Sequence, residues 1–240
     1  MFYITGDTHG EFSRVERFCE NVKSAREDVL IILGDAGINY YGGWRDEYKK
    51  RRLAELPLTL FSIHGNHEQR PASIPSYHTA TWNGGEVYVE DEYPNLLFAV
   101  DGSYYSLDGA QTFVIGGAYS VDKYYRLANN WNWWPDEQPD DETKRRAEEQ
   151  LEAHGWQADI VLTHTCPLRY EPTEVFLSCI DQSKVDKLTE EWLDAVERRL
   201  QYKRWYCGHY HTEKVIDKLT FMFESIRAFP TMEELNGEKH

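Results

Sequence analysis

The feature that most constrains this chain is a repeated ending. Five short apolar runs, spread along the sequence, each finish in Asp, Asn or His, several directly behind a Gly. Phe2–Thr5 leads into Gly6-Asp7-Thr8-His9, and Val29–Leu33 into Gly34-Asp35. Leu58–Ile63 leads into His64-Gly65-Asn66-His67-Glu68, Asp159–Thr163 into His164, and Trp205–Cys207 into Gly208-His209-Tyr210-His211. Runs this short and apolar read as buried strands. Strands alternating with helical patterns favour a parallel sheet with right-handed crossovers. Open α/β sheets gather the residues just past their strand C-termini onto one edge, however distant in sequence. Glycine at such a point lets the backbone turn sharply and come close to a ligand.

The remaining pattern fills in an α/β chain. Helical periodicity is expected near Phe12–Arg26 and Arg45–Glu55, which completes a βαβαβ opening. In the middle, Glu86–Val89, Leu96–Val100 and Gln111–Ile115 read as strands, with turn signals at Asn83-Gly84-Gly85 and Asp101-Gly102. They are expected as antiparallel additions to a second sheet. Acidic residues at Asp140-Asp141-Glu142 mark a helix start, where the helix dipole favours them, and Gly155 marks its end. Leu188, Trp192, Leu193, Val196 and Leu200 lie on one face of a further helix. Leu219–Phe223 reads as a late strand, and the polar tail, about 235–240, is expected to fray. No internal repeat or low-complexity linker divides the 240 residues, so a single domain over 1–240 is expected, with an excursion over about 117–140.

Imidazole and carboxylate are common ligands of divalent Mn, Fe and Zn. One such ion needs about four ligands. Asp7, His9, Asp35, Asn66, His164, His209 and His211 would serve two ions sharing a carboxylate, whose two oxygens can hold cations roughly 3.5–4 Å apart. Taken singly, Asp-x-His or Gly-Asp is a common accident, and Gly-His-x-His fits an ordinary loop. Their joint occurrence, each behind a strand, is what carries weight.

Together the five blocks resemble the calcineurin-like metallophosphoesterases, whose pattern is D-x-H, G-D, G-N-H-[ED], H and G-H-x-H. The resemblance spans Asp7 to His211. It implies a four-layered α/β/β/α sandwich with two mixed sheets and the metal site at the strand C-terminal ends. It implies further that Asp7, His9 and His211 hold one metal, that Asn66, His164 and His209 hold the other, and that Asp35 bridges them. His67 then faces the substrate as an acid or transition-state stabiliser, and a hydroxide between the metals attacks phosphorus in line. The expected cofactors are two divalent ions, Mn²⁺ first, with Fe, Zn, Ni or Co as alternatives. The expected activity is phosphatase or phosphodiesterase action on a small phosphorylated substrate, nucleotides among the candidates. A nuclease of the same superfamily and a catalytically silent protein-binding scaffold are the alternatives.

Departures from the pattern narrow the substrate. Protein Ser/Thr phosphatases of the superfamily carry G-D-x-x-D-R-G and R-G-N-H-E. Here Ile38 stands where an Asp would partner the histidine, and the arginines of both blocks are missing. Arg70 and Arg169, just past the third and fourth blocks, are candidate phosphate contacts. Tyr119, Lys123 and Arg126 in the Gly116–Arg126 segment are candidates as well. Trp131, Trp133 and Trp134 either stack on a substrate or pack their own loop.

Charge and cysteine usage set the surroundings. Lys+Arg 26 against Asp+Glu 41 gives a net charge of −15, which disfavours nucleic acid as a partner. The densest basic cluster, Lys49-Lys50-Arg51-Arg52, is flanked by Glu47 and Glu55 and reads as a solvated helix face. Cys19, Cys166, Cys179 and Cys207 show no C-x-x-C spacing, and the N-terminus lacks a basic n-region and a long apolar stretch. A cytoplasmic protein with reduced thiols is expected. With no apolar run approaching about 20 residues, no membrane span is expected. The sequence does not fix an oligomeric state.

Overall fold

A computed structural model describes residues 1–237. The chain opens with β1 (Phe2–Thr5), α1 (Ser13–Val22), β2 (Val29–Ile32), α2 (Trp44–Ala54) and β3 (Thr59–Ser62). Six elements follow: β4 (His78–Trp82), β5 (Gly85–Val89), β6 (Leu96–Ala99), β7 (Ser103–Leu107), β8 (Ala110–Ile115) and α3 (Lys123–Ala128). Then come α4 (Asp141–Ala153), β9 (Ile160–Thr163), α5 (Leu188–Glu197), β10 (Arg204–Cys207) and β11 (Lys214–Ile216). The chain closes with β12 (Leu219–Phe221), β13 (Arg227–Ala228) and α6 (Met232–Gly237). Among the described residues, no helix is long and apolar enough to cross a membrane.

Two mixed sheets result. One has seven strands in the order β13-β1-β2-β3-β6-β5-β4, and the other six, β11-β12-β10-β9-β8-β7. Strand alternation shows how they stack. In β2 and the residue after it, Val29, Ile31 and Leu33 point into the core between the sheets, while Leu30 and Ile32 point to an outer core shared with Val15 and Leu53 of α1 and α2. In β9, Ile160 and Leu162 join the central core, and Val161 joins a third core with Leu151 of α4 and Leu193 of α5. The order of layers is therefore helix, sheet, sheet, helix. Each side chain so buried contributes about 1.5–3 kcal/mol. Burial on both faces also explains why β2 is apolar throughout and β9 is apolar up to its last residue, Thr163.

Several expectations need correction. Glu86–Val89 and Leu96–Val100 belong to the first sheet, not the second, because β6 returns beside β3 in parallel register, with Leu60 opposite Leu96. Only the Gln111–Ile115 strand enters the second sheet, where β8 runs parallel to β9. The β4–β5 hairpin turns through Asn83 (φ 47°) and Gly84 (φ 85°), the two positive φ values of a tight I′-type connection. Helix α1 ends at Val22 rather than near Arg26, because Lys23 takes a left-handed conformation and its N–H bonds to Cys19 O. Lys50 is not solvated. It is buried and paired with Glu90 at 2.6 Å. Residues 235–237 are helical, with Leu235 buried in the inter-sheet core. The rest of the expected fray, residues 238–240, lies outside the described residues.

Candidate metal centre

The five parallel strands β1, β2, β3, β9 and β10 all end at one edge of the sandwich. Their C-terminal loops bring Asp7, His9, Asp35, Asn66, His67, His164, His209 and His211 together. His9, Asp35, His209 and His211 have φ values of 48°, 47°, 66° and 47°. Left-handed backbone costs an L-residue roughly 1–2 kcal/mol, and such strain gathers where a site dictates geometry.

Two glycines show how tight the convergence is. A Cβ on Gly65 would lie 2.0 Å from Asp35 Oδ1, and one on Gly208 would lie 2.3 Å from Asp7 Oδ1. These loops pass over the carboxylates at backbone contact distance, which no larger residue permits.

The donors form two neighbouring groups. In the first, His9 Nε2 and His211 Nε2 are 2.9 Å apart, with Asp7 Oδ2 3.7 and 3.3 Å from them. In the second, Asn66 Oδ1 lies 2.8 Å from His164 Nε2 and 3.0 Å from His209 Nδ1. Asp35 stands between the groups. Its Oδ1 is 3.7 Å from His164 Nε2, and its Oδ2 is 3.9 Å from His9 Nδ1.

Hydrogen bonds aim these atoms inward. Leu33 O accepts from His164 Nδ1 at 2.7 Å, so the proton sits on Nδ1 and the Nε2 lone pair faces the site. Asn66 Nδ2 donates to Ser120 Oγ at 2.9 Å, which turns the amide oxygen toward the histidines. Asp7 Oδ1 accepts from His209 N, while Asp7 Oδ2 is buried and makes no hydrogen bond among the described residues. A buried carboxylate oxygen lacking a donor, among converging imidazole lone pairs, suits a cation. Three overlapping sets, Asp7/His9/His211, His9/Asp35/His67 and Asp7/Asp35/His164, have ligand atoms within 4.8 Å of one another.

The electrostatics agree. Burial opposes ionisation of Asp35, but His164, His67 and His9 outweigh it and hold the carboxyl well below its usual range. Burial drives His209 down to about 3, keeping it neutral. His67 moves the other way: burial lowers it, yet Asp35 and Asp122 more than compensate and raise it. Glu68 ties the second and third loops together by accepting from Gly65, Ala36 and Gly37 N–H groups at 3.1–3.3 Å.

Sequence reasoning missed Asp122. Its Oδ1 lies 3.6 Å from His67 Nε2, and its Oδ2 accepts from Arg126 Nε at 2.8 Å. Arg126 Nη2 lies 2.6 Å from His67 Nδ1. The same Nη2 lies 3.2 Å from His67 Nε2, so Arg126 covers the ring edge that also faces Asp122. Asp122 thus stands beside His67, whereas Ile38 is fully buried in the outer core. The available signal was the Asp122/Arg126 spacing, an i,i+4 ion pair. Ser120, which orients Asn66, gave no signal.

The remaining candidates are divided. Arg126 is at the centre, also bonded to Tyr40 Oη and Asn132 O. Tyr119 lines the cavity beside it. Arg70, Lys123 and Arg169 line neither adjoining cavity. Arg70 is held by Asp101 and by Asp136 O, bracing the excursion. Arg169 is held by Asp194 and Glu197 on α5, and Lys123 lies over the Trp133 ring at 4.1 Å. Trp133 donates to Glu137 within its own loop, Trp134 meets Tyr40 of the β2–α2 loop edge-on, and Trp131 is exposed.

A protein-family model described as calcineurin-like phosphoesterase matches residues 1–213. Among solved structures, the chain is similar to TT1561 of Thermus thermophilus, at 15% identity and a TM-score of 0.47. It is also similar to phosphopantetheinyl hydrolase (PptH) from Mycobacterium tuberculosis, at 13% identity and a TM-score of 0.47. Each match covers 92% of this chain and 87% of the other. No curated protein matches it.

Proposed function

The chain belongs to the calcineurin-like phosphoesterase family, and from that premise we propose that it hydrolyses small phosphoesters at a dinuclear centre with His67 as the acid. The observation that carries this reading is Asp35, whose two oxygens face different donor groups. Asp7, His9 and His211 would hold one divalent ion, Asn66, His164 and His209 the other, and Asp35 both. When bound, such ions supply a water acidified towards about pKa 7 and neutralise charge on the phosphoryl oxygens. Mn²⁺ is the ion to try first, since mixed imidazole, amide and carboxylate donors suit it as well as Fe, Zn, Ni or Co.

The chain's own residues do the rest. Asp35 Oδ1 accepts from the His67 N–H at 2.7 Å, which holds the carboxylate where it would meet both ions. Asp35 and Asp122 raise His67 toward its charged form, as general-acid work on a departing alkoxide requires. Arg126 and Asp122 fix its ring. A covalent route is disfavoured: burial pushes the Cys166 and Cys207 thiols far above their usual range, leaving them inert beside the site. The net charge of −15 weighs against a nuclease. Free cysteines fit a reducing compartment such as the cytoplasm.

The test is a titration of chelator-treated protein with Mn²⁺, run beside turnover of a chromogenic phosphomonoester and phosphodiester. Two ions should bind. Asp35→Asn should lose one binding event and lower turnover by about a hundredfold or more. Uptake of a single ion, or full activity in the variant, would overturn the dinuclear reading.

A further inference from the structure

The donor cluster opens into a cavity of about 410 Å³, within the usual range of small-molecule sites. Its composition is unusual for a protein that handles phosphate. One wall comes from the irregular segment between β9 and α5, and presents Val175, Phe176, Leu177, Ile180 and Val185. Tyr119 and Val121 approach from the excursion. Tyr210 backs Phe176, with ring centroids 6.1 Å apart and planes 15° from parallel. Leu177 is 61% exposed, so this apolar surface is not absorbed into a core.

The charges are equally one-sided. Among the described residues, no Lys or Arg lines the cavity, whereas Asp122, Glu171, Asp186 and Glu190 all do. Lys187, near the same wall, is held by Glu171 at 2.6 Å, with its ammonium 5.3 Å from the Phe176 ring centroid. Away from the candidate metal ligands, a second phosphate, sulfate or carboxylate on the substrate would meet carboxylates and, among the described lining residues, no Lys or Arg. An uncharged apolar group would find five aliphatic or aromatic side chains and gain by leaving water. Asp35, Asn66, His67, His209 and His211 line the same cavity, so an oxygen protonated by His67 already lies within it.

We propose that this cavity receives the leaving group, and that the substrates are phosphoesters of an uncharged, largely apolar alcohol bearing no second anionic group. The proposal rests on the phosphoesterase reading above. Contacts to such a group, remote from phosphorus, would hold the scissile bond in line with the centre. The segment between β9 and α5 is then the specificity-determining wall.

The experiment compares phenyl phosphate, naphthyl phosphate and sulfonated naphthyl phosphate as substrates of the Mn²⁺-loaded protein. Naphthyl phosphate should exceed phenyl phosphate in kcat/KM by about tenfold or more. The sulfonated ester should fall about tenfold below naphthyl phosphate, although sulfonation makes it the better leaving group. Phe176→Ala and, separately, Ile180→Asn should bring the naphthyl-to-phenyl ratio to within about threefold, mainly through KM. The wild-type comparison needs no variant, so a misfolded substitution does not spare the proposal. Equal use of the three esters, or an unchanged ratio in both folded variants, would overturn the leaving-group assignment and leave the phosphoesterase reading intact. Absence of metal-dependent hydrolysis of all three would overturn that reading and the proposal with it.

Discussion

Gly65→Ala should leave a folded protein with a disabled centre. The added Cβ would sit 2.0 Å from Asp35 Oδ1 and 2.1 Å from Asp35 N, while real Cβ contacts do not fall below 3.0 Å. Something must therefore move by about an ångström. Asp35 is the group in the way, and it is poorly able to yield. It is buried, its φ is 47°, its carbonyl accepts from Thr8 and His9 N–H groups, and its carboxylate accepts from His67 N–H. Overpacking of this kind costs roughly 1–3 kcal/mol. For a chain of this size that lowers the melting temperature by about 2–12 °C, which a domain of ordinary stability survives. The catalytic loss should be far larger, because displacing a positioned group by about 1 Å can cost around a hundredfold. Circular dichroism melting, Mn²⁺ titration and turnover of a chromogenic ester would be measured on the same preparation. Gly43→Ala is the control, since its φ is 177° and nothing lies within 4 Å of the added Cβ. Folded Gly65→Ala protein with metal affinity and turnover within about threefold of wild type would refute the claim that backbone proximity sets Asp35.

Asp122→Asn should lower kcat on an alkyl phosphoester by roughly ten- to a hundredfold, with little change on a nitrophenyl ester, whose leaving group needs no proton. Equal losses on both esters would show that Asp122 supports only the local structure. Glu190→Gln probes stability. Glu190 is buried, accepts from Thr165 Oγ1 at 2.7 Å, and is pushed by desolvation from 4.5 up to about 7, with Glu171 adding to the rise and Lys187 opposing it. Between those pH values the folded state keeps a proton that the unfolded state has lost. Its stabilising contribution is therefore complete below about 4.5 and is lost as pH rises toward 7, a swing of about 3 kcal/mol. Urea denaturation should show the Gln variant gaining on wild type across that window, and a pH-independent difference would refute the assignment.

What was legible in the sequence is what short-range chemistry writes there. Phe2–Thr5 is a strand with the expected bounds, and the Val29, Leu58 and Asp159 runs are strands to within a residue or two at each end. A strand buried on both faces must be continuously apolar, and its end must be marked where the chain leaves the core. For the same reason the Asp, Asn and His residues that converge at the edge could be named from the sequence. Asp140 was legible as a helix start because a cap is a local device, here accepting from Thr143 N at 2.8 Å. The partner of His67 was not legible, because Asp122 comes from an excursion far along the chain, and no local rule pairs the two. Arg70 and Arg169 misled because position beside a motif says nothing about direction. Each was already claimed by carboxylates from other elements.

The sequence by itself determined the α/β alternation, the strand ends and the residues gathered behind them, since burial period, glycine and residue chemistry are properties of neighbours along the chain. Only the tertiary structure decided which sheet β5 and β6 join, which carboxylate faces His67, and that the cavity at the centre has an apolar wall and, among the described residues, no Lys or Arg in its lining. Those depend on which side chains from distant segments share one volume, and a linear pattern does not encode that volume.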